Sequence, residues 1–415
     1  MKKQDIVRNL PSGPAALIDA DTAAKRLGVS RKTLYAYVSR KIIHSVNHPN
    51  SSRIRLYDAS EIDGLLSRKA EILQIKGRHT AAADHGLPVL KTSLTRIENG
   101  RLHYRNWDAL KLADHQTLED VAGILWGSTG SNPFEGTDFN PGAVSGWLYA
   151  WRQLNSTIAT ERAITLLPWL QFDQPAPAEP RPAWSLREAA WIVRCLATAI
   201  AGSPELPNVP IHEAMAIAWG NPSAADSLRR SLVLSADQEL NASTFAVRLV
   251  ATTGAKMPGA LLAGLSVLNS PRHGGAAERI RALLLEVETL GSALEVVSAR
   301  LRRGDDLPGF GHSLYPNGDS RAAAILQHIA IDERLAQIIE TVATITGLHP
   351  SLDLALVAVE RTFRLPRGSA LALFAIGRSI GWIAHALEQR TLPNLIRPMG
   401  NIHLTGEAAL TNTMW

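Results

Sequence analysis

The chain has 415 residues, 46% of them hydrophobic and 20% charged, enough for two or three domains with a well-packed interior. A single cysteine, Cys195, excludes an intrachain disulfide and a thiolate metal cluster built from one chain, and fits a reducing compartment. The net charge of +5 is uneven: residues 1–88 hold 15 basic and 8 acidic side chains and the remainder 28 and 30, so an anionic partner is expected for the N-terminal segment.

The first residues, Met1 to Arg8, are partly basic with no apolar core behind them, so no secretory signal is expected and the cytoplasm is the expected location. Across residues 19–43, Asp21 or Thr22 is expected to cap a first helix whose apolar side is Ala23, Ala24 and Leu27. Gly28 permits a tight turn, and Ser30 caps a second helix with Arg31, Lys32 and Thr33 in its first turn. Leu34, Tyr35 and Val38 then face inward or toward a partner. The alternating run Arg53-Ile-Arg-Leu-Tyr57 reads as a strand, and Asp58 to Leu66 as a short helix with Ser60 a possible cap. The unit resembles the winged helix-turn-helix of MerR-type and excisionase-type proteins. That resemblance implies that the second helix enters a DNA major groove while the wing touches the backbone, and it matches Arg31, Lys32, Thr33, Tyr35, Arg53 and Arg55 to DNA-contacting positions. A solvated basic hairpin used for protein contacts is the plainer alternative. His44 and His48 are four apart, as zinc ligands on a helix can be, but Asn47, Pro49 and Asn50 read as a turn, and no metal is assigned.

Lys69 to Asp84 loses periodicity after Ile75, which divides the chain into a head at 1–70, a linker at 71–85 and a larger part at 86–415. Residues 87–105 alternate as two strands joined by a turn at Glu98-Asn99-Gly100. From Thr117 onward the periods are helical almost throughout, with proline-rich breaks at Pro175–Pro182 and Pro204–Pro210. Helices are expected near 223–233, 242–251, 258–267, 276–290, 294–302, 320–347, 351–363 and 369–388. The fold class is therefore mainly α. The run Ser369 to Leu387 approaches membrane-spanning length, yet Arg378 at its centre is expensive in lipid, so a buried helix without a membrane is expected. A buried guanidinium needs an anion, either a buried acid or a bound carboxylate.

Two segments set a histidine among glycines: Arg272-His-Gly-Gly-Ala276 and Pro308-Gly-Phe-Gly-His312, the latter followed by Asp319-Ser-Arg321. Glycine lets a backbone approach a ligand, histidine presents a ring nitrogen at neutral pH, and arginine offers a fork for carboxylates. Structural histidines would look the same singly. The whole pattern resembles citrate synthases. It includes Asn241-Ala-Ser-Thr-Phe-Ala-Val-Arg248, Phe374 to His385, Arg397-Pro398, Gly86-Leu-Pro-Val-Leu90 and Leu102-His-Tyr-Arg-Asn106, in the family's order over residues 86–415. The resemblance implies an all-helical large domain (about 86–268 and 361–415), a small domain (about 269–360), a homodimer and no cofactor beyond the CoA substrate. It implies condensation of acetyl-CoA, or another short acyl-CoA, with oxaloacetate or a related 2-oxo acid, as in the tricarboxylic acid cycle.

By motif, His273 would donate to the thioester oxygen, His312 would polarise the ketone, and Asp353 would take the methyl proton. Gln238, Arg321, Arg378 and Arg397 would bind the keto acid, Arg397 from the second subunit. Asp353 could equally be a helix-start residue. The chain departs from the family at Gln238, where a histidine is usual, and at Ala277, Asn106 and Met399. Glutamine can donate a hydrogen bond but carries no charge. Two alternatives stand beside this reading: a 2-methylcitrate synthase using propionyl-CoA, and a metabolite-sensing transcriptional regulator with little turnover.

Overall fold

A computed structural model of the chain describes residues 17–39, 43–48, 51–63, 90–128, 130–136, 144, 146–154, 156, 158–171, 184–393 and 395–396. The chain divides into two compact units. One comprises Met1–Arg78, Glu278–Ala323 and Ala330–Ala355, and the other His79–Ala277, Ala324–Ile329 and Leu356–Trp415.

The first unit opens with β1 (Leu17–Asp19), α1 (Ala20–Leu27), α2 (Arg31–Ser39), β2 (Ser45–His48) and β3 (Ser51–Asp58). The three strands form an antiparallel sheet in the order β1-β3-β2. Asp19 caps α1 by accepting the Thr22 amide at 2.8 Å, so neither Asp21 nor Thr22 is the cap; Asp21 instead takes the Arg31 guanidinium. Gly28 closes α1 in the left-handed region at φ 68°, which the missing Cβ permits. Ser30 Oγ accepts the Thr33 amide at 3.2 Å, as expected of a cap. After β3, Asp58 accepts both the amide and the hydroxyl of Ser60, so Asp58 is the cap and Ser60 the donor. His48 lies in strand β2 rather than in a turn, and no group of metal-ligand residues forms among the described residues.

The second unit begins with a hairpin, β4 (Thr95–Glu98) and β5 (Arg101–Tyr104), extended by β6 (Trp107–Asp108). Asn99 and Gly100 turn it with φ 51° and 73°, the signs a type I′ turn demands. Helices follow: α3 (Ala109–His115), α4 (Leu118–Trp126), α5 (Trp147–Gln153), α6 (Ala159–Leu166), α7 (Leu186–Ala201), α8 (Ile211–Ala218), α9 (Ala225–Ser235), α10 (Ala242–Thr252) and α11 (Met257–Leu268). A capping box starts α4, with Thr117 and Asp120 satisfying each other's amides.

The chain then runs through α12 (Ala276–Leu290), α13 (Ala293–Arg303), α14 (Ser320–Leu326), α15 (Glu333–Thr346) and α16 (Leu352–Thr362) before closing with α17 (Ser369–Arg390). The single helix expected over 320–347 is thus two. The chain turns at His328, whose amide bonds the Ile325 carbonyl, and Asp332 starts α15 by accepting the Leu335 amide at 2.9 Å. In the first unit, Tyr37 on α2 is buried and its hydroxyl donates to the Ile345 carbonyl in the last turn of α15, one of the carbonyls a helix end leaves without an internal partner.

The core of the second unit is α17, packed against α4, α9 and α10. It is long and apolar enough to span a membrane, but most of it lies inside the unit. Two glycines make that packing possible. A Cβ on Gly377 would meet the Leu232 carbonyl oxygen at 2.7 Å, and one on Gly381 would meet that of Ala236 at 2.4 Å.

Candidate active site

Each unit carries part of the expected site. In the first unit, Gly309 and Gly311 take left-handed φ values of 87° and 70°, a conformation other residues resist. The Gly311 amide donates to the His349 carbonyl and the Ser351 amide to the Gly309 carbonyl, both at 2.8 Å. The loop entering His312 is therefore stapled to the strand-like segment that leads into α16 and Asp353. Asp353 stands in the first turn of α16, where a carboxylate is favoured.

His312 is half-buried. Its Nδ1 accepts the Leu314 amide at 3.2 Å, which assigns the hydrogen of the neutral ring to Nε2. Its ring lies 5.3 Å from that of Tyr315, and Tyr315 in turn lies under the Arg321 guanidinium, 4.9 Å from the ring centroid. Arg321 is 1% exposed and forms a two-pronged pair with Asp319, Nε to Oδ1 at 2.9 Å and Nη2 to Oδ2 at 2.7 Å. Burial alone would push the Asp319 carboxyl up, but the charge and hydrogen bonds of Arg321 counter it, and the group is held below its ordinary value. Oδ2 of Asp319 also accepts the Leu352 amide at 3.2 Å, so one carboxylate anchors the starts of both α14 and α16. Asp319 lay inside the Asp-Ser-Arg motif without a role in the sequence reading.

In the second unit, Gln238 lies three residues past α9, and Arg378 reaches the last residue of that helix. Arg378 is fully buried; its Nε donates to the Ser235 carbonyl at 3.0 Å and its guanidinium lies over the Phe374 ring, 4.6 Å from the centroid. The sequence left a buried acid and a bound carboxylate as its possible counter-charges. The fold places a buried acid, Asp237, next to Gln238, just past the α9 end whose Ser235 carbonyl takes Arg378. Burial would push the Asp237 carboxyl up, but His385, the Arg378 charge and the Thr95 hydroxyl hold it down. Sequence reasoning missed Asp237, Thr95 and His385, whose partners lie more than a hundred residues apart.

His273 is half-buried on the turn between α11 and α12, with Nε2 3.1 Å from Ser243 Oγ at the start of α10. Asn241 caps α10 through the Thr244 amide and takes the Ser243 hydroxyl at 2.8 Å. A Cβ on Gly274 would fall 2.0 Å from the Leu268 carbonyl oxygen, so only glycine lets the histidine turn pack this closely on α11. Ala277, in place of a polar residue, is buried. Arg397, Met399 and the side chain of Arg53 lie outside the described residues.

Of the remaining head residues, Arg31, Lys32 and Tyr35 are exposed on one face of α2, opposite buried Leu34 and Tyr37. Arg31 is paired with Asp21, Thr33 is half-buried against Ser30, and exposed Arg55 donates to Ser45 Oγ at 2.9 Å.

A sequence profile described as citrate synthase, C-terminal domain, matches residues 171–399. A relative named putative citrate synthase 2, from Mycobacterium tuberculosis, is 32% identical over 190 residues, which are 43% of this chain and 51% of that protein; the match thus spans about half the relative's length. The citrate synthase of Mycolicibacterium smegmatis is 28% identical over 348 residues, covering 76% of this chain and 92% of that one. A 2-methylcitrate synthase of Mycobacterium tuberculosis is 26% identical over 350 residues, covering 76% and 88%. Among solved structures, the citrate synthase of Thermotoga maritima superposes with a TM-score of 0.64 at 23% identity, covering 78% of this chain and 95% of that one, which shows a shared fold.

Proposed function

The chain belongs to the citrate synthase family, and from that premise we propose that it condenses acetyl-CoA with oxaloacetate to give citrate and CoA. The observation that carries the reading is the first-unit cluster: the His312 loop, stapled to the segment that starts the Asp353 helix and tied to it again through Asp319. Asp353 takes a proton from the acyl methyl group. His273 stabilises the developing enolate oxygen, a role that needs a hydrogen on Nδ1; because the Ser243 hydroxyl donates to Asn241, the neutral ring takes that tautomer only when this hydroxyl turns from Asn241 to Nε2. The nucleophilic carbon attacks the ketone carbon while His312 donates from Nε2 to the ketone oxygen. Water then hydrolyses the thioester and releases CoA. Gln238, Arg321, Arg378 and Arg397 hold the keto acid, with Arg397 supplied by the second subunit of a homodimer. The family uses no cofactor beyond the CoA substrate. The domain limits set out from the sequence belong to this same reading.

Propionyl-CoA is the second acyl donor to test, since one methylene changes selectivity by only about 1–3 kcal/mol in an apolar pocket. The relatives named above are synthases, so a sensor without turnover finds no support in them. The head is a separate matter. A winged helix-turn-helix that contacts DNA through Lys32, Tyr35 and Arg55 is supported by the α1-turn-α2 order, the β1-β3-β2 sheet and the exposed face of α2. Arg31 contributes only if phosphate competes with Asp21.

The deciding experiment is release of CoA thiol on mixing purified protein with oxaloacetate and either acyl-CoA. No release with either donor, from protein that binds oxaloacetate, would remove the catalytic reading.

A further inference from the structure

The acid adjacent to Gln238 is among the most completely buried in the described structure. Asp237 has no exposed surface, and its Oδ2 accepts hydrogen bonds from Thr95 Oγ1 and His385 Nε2, each at 3.0 Å. Behind His385 stands Arg248, also fully buried, whose Nη1 donates to His385 Nδ1 at 3.1 Å and to Glu388 at 2.7 Å. Arginine has donors only, so Nδ1 of His385 is the acceptor and Nε2 carries the hydrogen given to Asp237. The hydrogens from Arg248 through His385 to Asp237 therefore all run one way.

Thr95 does two things at once. Its hydroxyl hydrogen goes to Asp237, and its oxygen accepts the Glu239 amide at 3.2 Å. Glu239 sits at φ 49°, a left-handed conformation that a residue with a Cβ keeps only when its surroundings hold it there. Gln238 thus lies between two anchored neighbours. From the other side, the Gly381 amide donates to the Ala236 carbonyl at 3.0 Å, and Arg378 fixes the Ser235 carbonyl. Gln238 projects from this clamped junction, and Arg378 reaches it from α17.

We propose that Asp237 and Thr95 form a positioning pair for the keto-acid site, fixing the backbone at Gln238 before substrate arrives. A neutral glutamine gains no Coulombic attraction to a carboxylate, so its contribution to binding depends on being aimed in advance. The inference rests on the reading of Gln238 and Arg378 as oxaloacetate ligands, and the test keeps the two apart.

Thr95→Val removes the hydroxyl at nearly constant shape, Thr95→Ala does so without adding any contact should valine disturb folding, and Thr95→Ser keeps the hydroxyl. Two readouts are taken on the full chain: oxaloacetate affinity by calorimetry with KM for both substrates, and amide hydrogen exchange of the 236–239 segment without ligand. The expected result for Val or Ala is a loss of oxaloacetate affinity of about tenfold, with KM for acetyl-CoA little changed, faster exchange at 236–239, and recovery of both in Ser. If the wild type does not bind oxaloacetate while exchange still quickens in Val, the ligand assignment fails and the clamp stands. If the wild type binds and the Val and Ala variants match it in affinity and exchange, the positioning role is overturned. Loss of thermal stability without either change would leave Thr95 a packing residue and overturn it too.

Discussion

Gly381→Ala separates the effect of packing on stability from its effect on the site. A Cβ there would lie 2.4 Å from the Ala236 oxygen, 2.6 Å from Asp237 Oδ1 and 2.8 Å from Asp237 Cβ, all well inside the 3.4 Å at which ordinary contact begins. To admit the methyl group, α17 and the turn after α9 must separate by roughly 1 Å, an overpacking that typically costs about 1–3 kcal/mol. Alanine returns about 0.8–1 kcal/mol through its better helix propensity. The net loss of stability is therefore modest, between near zero and about 2 kcal/mol. The displacement falls on the turn that carries Gln238 and the helix that carries Arg378, where a misplacement of about 1 Å costs on the order of a hundredfold in kcat/KM. Gly259→Ala is the matched control: its nearest neighbour is Gln171 Oε1 at 3.7 Å, so the propensity gain should appear alone as about 0.8–1 kcal/mol of stabilisation. Urea unfolding gives the first quantity and CoA thiol release across an oxaloacetate series gives the second. If Gly381→Ala stabilises as much as Gly259→Ala and keeps wild-type kcat/KM, the close approach of α17 has no bearing on the site.

Asp353→Ala should lower kcat by about 10²–10⁴ while oxaloacetate binding, measured by calorimetry, stays close to wild type; near-full activity would remove it as the base. Mixed with inactive Arg397→Ala chains, inactive Asp353→Ala chains should regain part of the activity through hybrid dimers, and subunit exchange without any return of activity counts against a shared site. Lys32→Ala combined with Arg31→Ala should weaken binding to genomic DNA fragments and flatten its salt dependence without altering condensation, as gel shifts across a salt series would show. Asp237 and Asp319 are both held below the ordinary carboxylate value of 3.8, so their contribution to stability is fully present above that value and is lost as pH falls through their folded-state values. Urea midpoints should therefore drop on going from about pH 5 to about pH 3, and Asp319→Asn should flatten that drop; an unchanged slope would show that the pair does not titrate with unfolding.

The parts of the site that could be read from the sequence are those written locally. The glycines around His312 and beside His273 mark places where backbone must bend or approach closely, and the structure puts positive φ values at 309 and 311 and a near contact at 274. Helix periods located α10, α11, α12 and α17 to within a few residues because apolar spacing alone decides them. Local spacing could not reveal the break near 327–332, where Ala322, Ile325, Leu326 and Ile329 keep a helical spacing up to the turn at His328 and the Asp332 cap. Nor could it reveal Asp237, which draws on Thr95 at a separation of 142 residues and on His385 at 148. The cap of α1 was misplaced because Asp19, Asp21 and Thr22 are all good caps by type, and what distinguishes them is that Asp21 is engaged by Arg31.

The bond from Tyr37 to Ile345 gives the head a hidden side as well as an outward one. A chain started at residue 90 would leave the last turn of α15 without the phenol that completes it, and a head cut out alone would bare Tyr37 to water. Swapping this segment for another would therefore mean matching a surface at the end of α15, seven residues upstream of Leu352 and the start of α16. Grafts should be designed around the retained Tyr37 face, with only the outward residues of α2 exchanged.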